Sequence, residues 1–381
     1  MLIIGGALVV LVVLVAAVAV LIDDGGPQAA VAPTVEEPPP ATPEAVAAIL
    51  PELQAFVEEE RNLAFTEPVD VEVLESEAYQ QRTREQFETE LEENREDLEA
   101  VAAQYQALGL LDPAVDIVET LDSFYSTATA GFYDSETKEL VVQGSELNED
   151  LRVTLVHELT HALDDQVFGL ERPELEDRTD EAGFGFSALV EGNASRVDGA
   201  YVESLSPGEQ VEYFRQASEA AAGVDFDAFP PVLLLEEQFV YGNGLEFVQA
   251  LVDDDGNDAV DDAFDSPPLT SEAVLEPETY LEGEGAESVP PPAADGEVLE
   301  EGVGGQFLLE LLVNGSLESG GVPEWVGDRY VVWEDGGQTC VRIAYVGDLD
   351  ELEDALASWE DLTGGRIERV DDTVTVTGCT V

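Results

Sequence analysis

The sequence predicts an α+β fold that is mostly helical, and three observations carry this prediction. Several long segments between positions 45 and 252 repeat apolar residues at spacings of three and four, as helices with one buried face do. Residues 131–142 consist of two short apolar runs on either side of a polar turn, the pattern of a strand, a turn and a strand. Residues 330–377 alternate strand-like runs with one helical stretch, which indicates a small C-terminal α+β subdomain with an antiparallel sheet.

The composition limits the function classes. The chain of 381 residues holds 85 acidic and 14 basic residues, a formal net charge of −71. Such a charge repels nucleic acid and anionic lipid surfaces, so we expect no nucleic-acid partner. Hydrophobic residues make up 44% of the chain, which favours a folded protein over a disordered one. Because dense counterions screen self-repulsion, the composition predicts a halophilic protein, adapted to high salt.

Residues 1–22 are predicted to form a transmembrane helix. Leu2 to Ile22 is an apolar run without a charge, and about 20 such residues suffice to cross a bilayer. A cleaved signal peptide is the alternative, since Ala17-Val18-Ala19 could serve as a cleavage site, although the apolar run continues past it. We therefore expect a single-pass protein of the cell membrane with its catalytic domain outside, or a secreted protein if the segment is cleaved. Residues 23–43, rich in Pro and Ala, are interpreted as a linker.

Two amphipathic segments follow the linker. Residues 45–65 and 75–108 carry apolar residues at helical spacings and are each predicted to be a helix. Residues 43–115 are either an inhibitory prodomain or a part of the main fold, and the sequence leaves both open. We expect the main domain to span residues 44–320 and the C-terminal subdomain residues 321–381.

The chemistry of the chain is concentrated in the segment 157–161, which has the pattern His-Glu-x-x-His. His157 and His161 are the only histidines of the chain. Their spacing places both imidazoles on one face of a helix, where they can bind one metal ion. Glu158 lies beside them, in a position to take a proton from a metal-bound water. The alternative is an ordinary helix that carries two surface histidines.

This motif helix has recognisable ends, and a second long helix is predicted to supply the third ligand. Asn148 can cap the motif helix and Gly169 ends it. Residues 180–204 form the second helix, and Glu191 is the only charged residue between Glu181 and Arg196. A lone carboxylate in an apolar helix is costly to bury unless it is paired or binds a metal. Glu191 is therefore our third ligand, in preference to Glu181 or Asp180; the alternative is a solvent-facing glutamate.

The remaining elements are predicted from local patterns. Residues 229–252 should form two helical pieces separated by a glycine-rich turn at 241–244. Cys340 and Cys379 lie in or beside predicted strands and can bridge them, the alternative being two free buried thiols. We expect an extended loop at residues 266–292 and a short helix at 306–312. In the C-terminal part we expect strands at 330–333, 340–346, 367–370 and 374–377, with a helix at 349–362 between the second and third strands.

The motif and the later glutamate resemble the gluzincins, the thermolysin-like zinc metallopeptidases. The resemblance covers roughly residues 130–205, and the segment 188–194 is similar to the third-ligand segment of exported microbial proteins of this type. It implies a zincin-like catalytic core and Zn²⁺ bound by His157, His161 and Glu191. It also implies a peptidase that hydrolyses peptide bonds with metal-activated water, Glu158 being the general base.

The chain departs from this family at three points, the first being a gap from His161 to Glu191 that is longer than in thermolysin-like members. Ser195 stands where the family has an aspartate that orients a ligand histidine, so Asp180 or Asp198 would have to take that role. No histidine is left to stabilise the oxyanion, and Tyr241 and Tyr280 are the candidates, each of them alternatively a packing or loop residue.

The sequence also suggests how substrate binds, and which other functions compete. The strand 139–142 directly precedes the motif helix, so we expect it to bind a peptide or protein substrate as an added strand. The competing functions are a non-catalytic surface protein whose zinc is structural or absent, and an inactive peptidase fold that binds proteins.

Overall fold

The computed structural model describes residues 9–13, 38–176, 180–317 and 322–381, and it confirms a mostly helical α+β class. The α-helices are α1 Pro43–Arg61, α2 Ser76–Glu93, α3 Arg95–Ala107, α4 Ile117–Ala128, α5 Glu149–Phe168, α6 Pro173–Glu176, α7 Asp180–Ser204, α8 Pro207–Ala221, α9 Pro231–Glu237, α10 Gly244–Asp255, α11 Asn257–Asp265, α12 Ser271–Leu275, α13 Pro277–Glu282, α14 Gly305–Asn314 and α15 Leu349–Thr363. A 3₁₀ turn spans Phe226–Ala228 and a π-helix spans Gln238–Asn243. The strands are β1 Val9–Val13, β2 Val71–Leu74, β3 Thr129–Asp134, β4 Leu140–Gln143, β5 Glu297–Gly302, β6 Gly327–Asp335, β7 Gln338–Val346, β8 Arg366–Val370 and β9 Thr373–Cys379.

The predicted hairpin before the motif helix is confirmed, but it belongs to a mixed sheet. Strands β3 and β4 pair antiparallel, whereas β2 pairs parallel with β4 on its other side. The strand order is β1-β3-β4-β2, so β4 is an interior strand. The prediction that residues 139–142 accept a substrate as an added strand is therefore wrong, because β2 and β3 already use both edges of β4.

The prediction of a membrane helix, and of a cell-membrane localisation with it, is wrong for the part of the chain that the structure describes. In that part no helix has both the length and the apolar character needed to cross a bilayer. Val9–Val13, within the apolar run, instead forms strand β1, which pairs antiparallel with β3. A run rich in valine suits a strand as well as a helix, and its periodicity does not separate the two. The rest of residues 1–22, and residues 23–37 of the linker, lie outside the described residues.

Helix α5 lies in the interior, between helices on one side and the first sheet on the other. Its apolar face packs with Val46, Leu53 and Val57 of α1 and with β3 and β4. Helix α7 packs along α5, and a second, larger apolar cluster joins α7 to α10 and to the second sheet. The two helices that carry the predicted metal ligands are thus neighbours within the core.

Three helical predictions need correction. The segment 75–108 is divided into α2 and α3, with Asn94 between them. The glycine-rich turn in 229–252 is absent from this described stretch, because the π-helix Gln238–Asn243 continues from α9 into α10. The stretch 266–292 contains α12 and α13 as well as extended chain. In the first two cases the helical type is as predicted and only the break is misplaced, whereas in the third the predicted loop contains two short helices.

The C-terminal part forms the predicted antiparallel sheet with one helix, α15. Its strand order is β5-β6-β7-β9-β8, and β5 joins the sheet from ahead of residue 321. Cys340 of β7 lies opposite Cys379 of β9, and the two form a disulfide. This confirms the predicted bridge and excludes two free thiols.

Candidate metal site

The site is built on helix α5, whose N-terminus is fixed as the sequence predicts. The Asn148 side chain accepts a hydrogen bond from the backbone N–H of Leu151 at 2.9 Å, and Glu149 and Asp150 occupy the first turn, where acids favour the helix dipole. Gly169 ends the helix with a positive φ of 73° and donates its N–H to the carbonyl of Asp165. With both ends fixed and almost the whole helix buried, the motif side chains have a defined direction.

His157, His161 and Glu191 come together as the sequence predicts. Glu191 Oε2 lies 3.2 Å from His157 Nε2 and 3.5 Å from His161 Nε2, and the two imidazole centroids are 4.7 Å apart. One ligand atom from each residue lies within 4.8 Å of the others, and all three residues are buried. The three side chains therefore form a group that could bind a metal ion.

Glu181, one of the two alternative third ligands, does not compete with Glu191. Glu181 is buried elsewhere and accepts hydrogen bonds from the backbone N–H and the hydroxyl of Ser271, each at 2.7 Å. The side chain of Asp180 lies outside the described atoms.

A metal ion would satisfy an atom that the described chain leaves without a partner. His161 is fully buried, and neither of its ring nitrogens makes a hydrogen bond within the residues that the structure describes, although Nε2 lies 3.5 Å from Glu191 Oε2. Buried polar atoms nearly always have a partner, so an orphaned nitrogen indicates a missing ligand or water. The residues present thus fit a metal held between the two imidazoles and the carboxylate.

The charges around the site are strongly coupled. Burial opposes the imidazolium form of His157, but hydrogen bonds to Asp198 and Glu191 outweigh it and raise its pKa to about 10. Burial lowers the pKa of His161, which keeps that imidazole neutral. Burial alone would raise the pKa of Glu191, yet its position beside both imidazoles lowers it overall. Glu191 is therefore an ionised carboxylate, the form that binds a cation.

Of the two acids predicted to orient a ligand histidine, Asp198 contacts His157, and the side chain of Asp180 is not among the described atoms. The Oδ2 atom of Asp198 lies 2.7 Å from His157 Nδ1. Asp198 follows Glu191 by seven residues on α7, two helical turns, so both carboxylates lie on the same side of the helix. The bond leaves Nε2 of His157 directed at Glu191 and at the metal position.

Glu158 is completely buried and lies against strand β3 at a glycine. A Cβ atom at Gly131 would come within 2.9 Å of Glu158 Oε1 and 2.8 Å of Thr154 Cγ2. Gly131 therefore lets β3 approach the proposed general base more closely than any other residue would. Sequence reasoning missed Gly131, although a glycine inside a strand is a recognised signal for a close approach.

The two tyrosines predicted as candidates to stabilise the oxyanion lie at different places in the fold. Tyr241, in the π-helix, is buried with its ring centroid 6.4 Å from that of His157. Burial, with Glu191, Glu237 and Glu158 nearby, raises its pKa well above the ordinary value, so it stays a neutral phenol and a hydrogen-bond donor. Tyr280 instead donates its hydroxyl to the carbonyl of Ser266. Only Tyr241 is therefore brought to the candidate site.

The π-helix lies close to the site because Gly192 of α7 and Gly244 of α10 allow the backbones of the two helices to come into contact. A Cβ atom on Gly192 would lie 2.1 Å from the carbonyl oxygen of Gly244, and one on Gly244 would lie 2.2 Å from that of Ala188. This contact sets α7 directly against the end of the π-helix, and it fixes Glu191, the neighbour of Gly192, relative to Tyr241.

Comparisons of the chain with models of protein families, with curated proteins and with solved structures find no match.

Proposed function

We propose that the chain is a zinc-dependent peptidase of the gluzincin type, with a zincin-like catalytic core. The observation that supports this most is the buried group of His157, His161 and Glu191 with Glu158 next in sequence to a ligand. Two imidazoles and one carboxylate are the protein ligands of a class of catalytic zinc sites that keep a fourth position for water. Zinc suits this mixed nitrogen and oxygen donor set.

Glu158, Tyr241 and Asp198 have different roles in the proposed hydrolysis. A zinc ion held by His157, His161 and Glu191 would supply Lewis-acid chemistry: it would polarise the scissile carbonyl and lower the pKa of a bound water to about 7. Glu158 accepts the proton of that water and passes it to the leaving amine. Tyr241 donates a hydrogen bond to the developing oxyanion, the role for which no histidine is left. Asp198 holds His157 in the tautomer that presents Nε2 to the metal.

The decisive experiment replaces Glu158 by Gln. The substitution keeps the size and shape of the side chain but replaces the basic carboxylate by a neutral amide, so hydrolysis of casein or of a peptide should fall about a hundredfold to ten-thousandfold. Zinc content should stay at the wild-type value, because Glu158 is not a ligand. Glu149→Gln, in the first turn of the same helix, is the matched control and should keep full activity. Undiminished turnover by Glu158→Gln would remove Glu158 from the mechanism.

A second candidate is a non-catalytic protein with a structural metal site. It is favoured by one observation: Glu158 and His161 are both fully buried, so neither side chain is exposed to the solvent from which a substrate would come. Peptide hydrolysis in high salt, with and without a zinc chelator, separates the two functions. Stoichiometric zinc without any chelator-sensitive hydrolysis would support the structural site or a peptide-binding role.

A further inference from the structure

A buried polar cluster lies one helical turn beyond the metal ligands. Asp164 uses both of its carboxylate oxygens there: Oδ1 accepts from Arg61 Nε at 3.0 Å, and Oδ2 accepts from Asn193 Nδ2 at 2.6 Å. All three side chains belong to residues with 0% exposure. We call Arg61, Asp164 and Asn193 the Asp164 cluster.

The positions of these residues in the chain connect the cluster to the site. Asp164 follows His161 by three residues on α5, so it lies on the next turn of the same helix face. Asn193 follows Glu191 by two residues on α7. The 2.6 Å bond between them therefore ties together the two helices that carry the metal ligands.

Arg61 extends the cluster to two further helices. Its Nη2 atom lies 2.9 Å from Asp261 Oδ1 of α11, and its Nη1 atom lies 3.4 Å from Asn257 Oδ1. The Asn257 amide in turn donates to the backbone carbonyl of Glu60 at 2.7 Å. Arg61 itself comes from α1, so the cluster connects α1, α5, α7 and α11.

Stability alone is a poor explanation of this arrangement. Taking an ion pair out of water costs several kcal/mol per ion, and well-packed apolar side chains of similar volume often stabilise a protein at least as well. What an ion pair with fixed hydrogen bonds adds is a defined geometry. Here the geometry concerns the separation of α5 and α7, on which the 3.2 Å and 3.5 Å distances of Glu191 to the imidazoles depend.

We infer that Asp164 is a positioning residue, which Arg61 and Asn193 hold so that the two ligand-bearing helices keep the spacing the metal needs. The inference rests on the proposed function insofar as it takes the group of His157, His161 and Glu191 to bind zinc. It also bears on the N-terminal region: because α1 supplies Arg61 to the interior, residues 43–61 contribute to the support of the site.

The test measures the zinc dissociation constant of the full chain by competition with a chromogenic chelator, at constant neutral pH and high salt. Asn193→Ala and Asp164→Asn should each weaken zinc binding about tenfold or more, as loss of supporting hydrogen bonds does at metal sites. Arg61→Lys keeps the charge but not the planar fork, so it should give a smaller loss. Circular dichroism on the same samples shows which variants are folded.

Tyr105→Phe is the matched structural control. It removes a buried bond of the same length, from the Tyr105 hydroxyl to Glu236 Oε1 at 2.6 Å, between α3 and α9. This variant should lose stability and keep the wild-type zinc affinity. Wild-type affinity in folded Asn193→Ala, Asp164→Asn or Arg61→Lys overturns the positioning role and leaves the zinc site standing. A wild-type chain that binds no zinc at all overturns both the proposed function and this inference.

Discussion

Asp198 Oδ2 lies 2.7 Å from His157 Nδ1, and this bond links a second acid of α7 to the imidazole that Glu191 also contacts. We expect Asp198→Asn to weaken zinc binding about tenfold to a hundredfold, because the amide cannot stabilise the imidazole as a carboxylate does. The zinc dissociation constant is the measurement. Ser195→Ala is the control, since Ser195 lies on the same helix but is not among the described hydrogen-bond partners of His157, and it should bind zinc as the wild type does.

Tyr241→Phe should lower kcat about a hundredfold and leave KM and zinc content nearly unchanged. The variant removes one hydroxyl donor to the developing oxyanion, and loss of such a donor acts on the transition state rather than on substrate binding. Steady-state peptide hydrolysis is the measurement. Tyr280→Phe, whose hydroxyl bonds the Ser266 carbonyl instead, should retain the wild-type kcat. A Tyr241→Phe variant with full kcat would leave the oxyanion without an identified donor.

Two glycines of helix α7 should respond in opposite ways to alanine. At Gly192 a Cβ atom meets the Gly244 carbonyl at 2.1 Å, so Gly192→Ala should cost about 1–3 kcal/mol of unfolding free energy and weaken zinc binding. At Gly199 a Cβ atom meets nothing within 4 Å, and Gly199→Ala should stabilise the helix by about 0.5–1 kcal/mol. Denaturant unfolding of both variants checks the prediction. Equal effects at the two positions would show that the α7–α10 contact is less tight than described.

Asp328 should make the fold less stable as the pH rises. Burial raises its pKa to about 6 from the ordinary 3.8, despite hydrogen bonds from the backbone N–H groups of Gly304 and Gly305 and from the indole of Trp325. The folded state then holds the proton more tightly than the unfolded chain, so the contribution of Asp328 to stability falls as the pH rises through this range. Between pH 5 and 7 this amounts to about 1 kcal/mol.

Unfolding of the wild type and of Asp328→Asn at several pH values isolates this contribution, because the many other acids titrate alike in both. The Asn side chain does not titrate, so the stability difference between the two proteins should shift against the wild type on going from pH 5 to 7. A difference that is constant over this range would assign Asp328 an ordinary pKa in the fold.

The parts of the fold that the sequence predicted well are those with local signals. Asn148 and Gly169 delimit α5 because capping needs only neighbouring residues, and the bounds of α7 coincide with the predicted 180–204. The metal-ligand group followed from the spacing of two histidines and from the isolation of Glu191 among apolar residues. Each of these patterns lies within a stretch of at most thirty-five consecutive residues.

The parts that sequence reasoning missed depend on distant partners. Strand β4 became an interior strand because β2, almost seventy residues earlier, pairs with it. Arg61 and Asp164 are separated by 103 residues, and nothing in either local pattern points to the other. Val9–Val13 is a strand because β3 offers it an edge. Register and partner choice of this kind are set by the assembled core, which a linear pattern does not contain.

Lys138, in the turn between β3 and β4, carries the only side-chain primary amine of the chain. Its Nζ atom lies 2.6 Å from Oδ2 of Asp165, which follows His161 by four residues on α5. The Lys138 side chain is nevertheless 56% exposed. An amine-reactive dye would consequently attach to one side-chain position, beside the helix that carries both histidines. A fluorescent label at Lys138 would therefore be suited to following metal uptake. It requires no added cysteine, which could exchange with the Cys340–Cys379 disulfide.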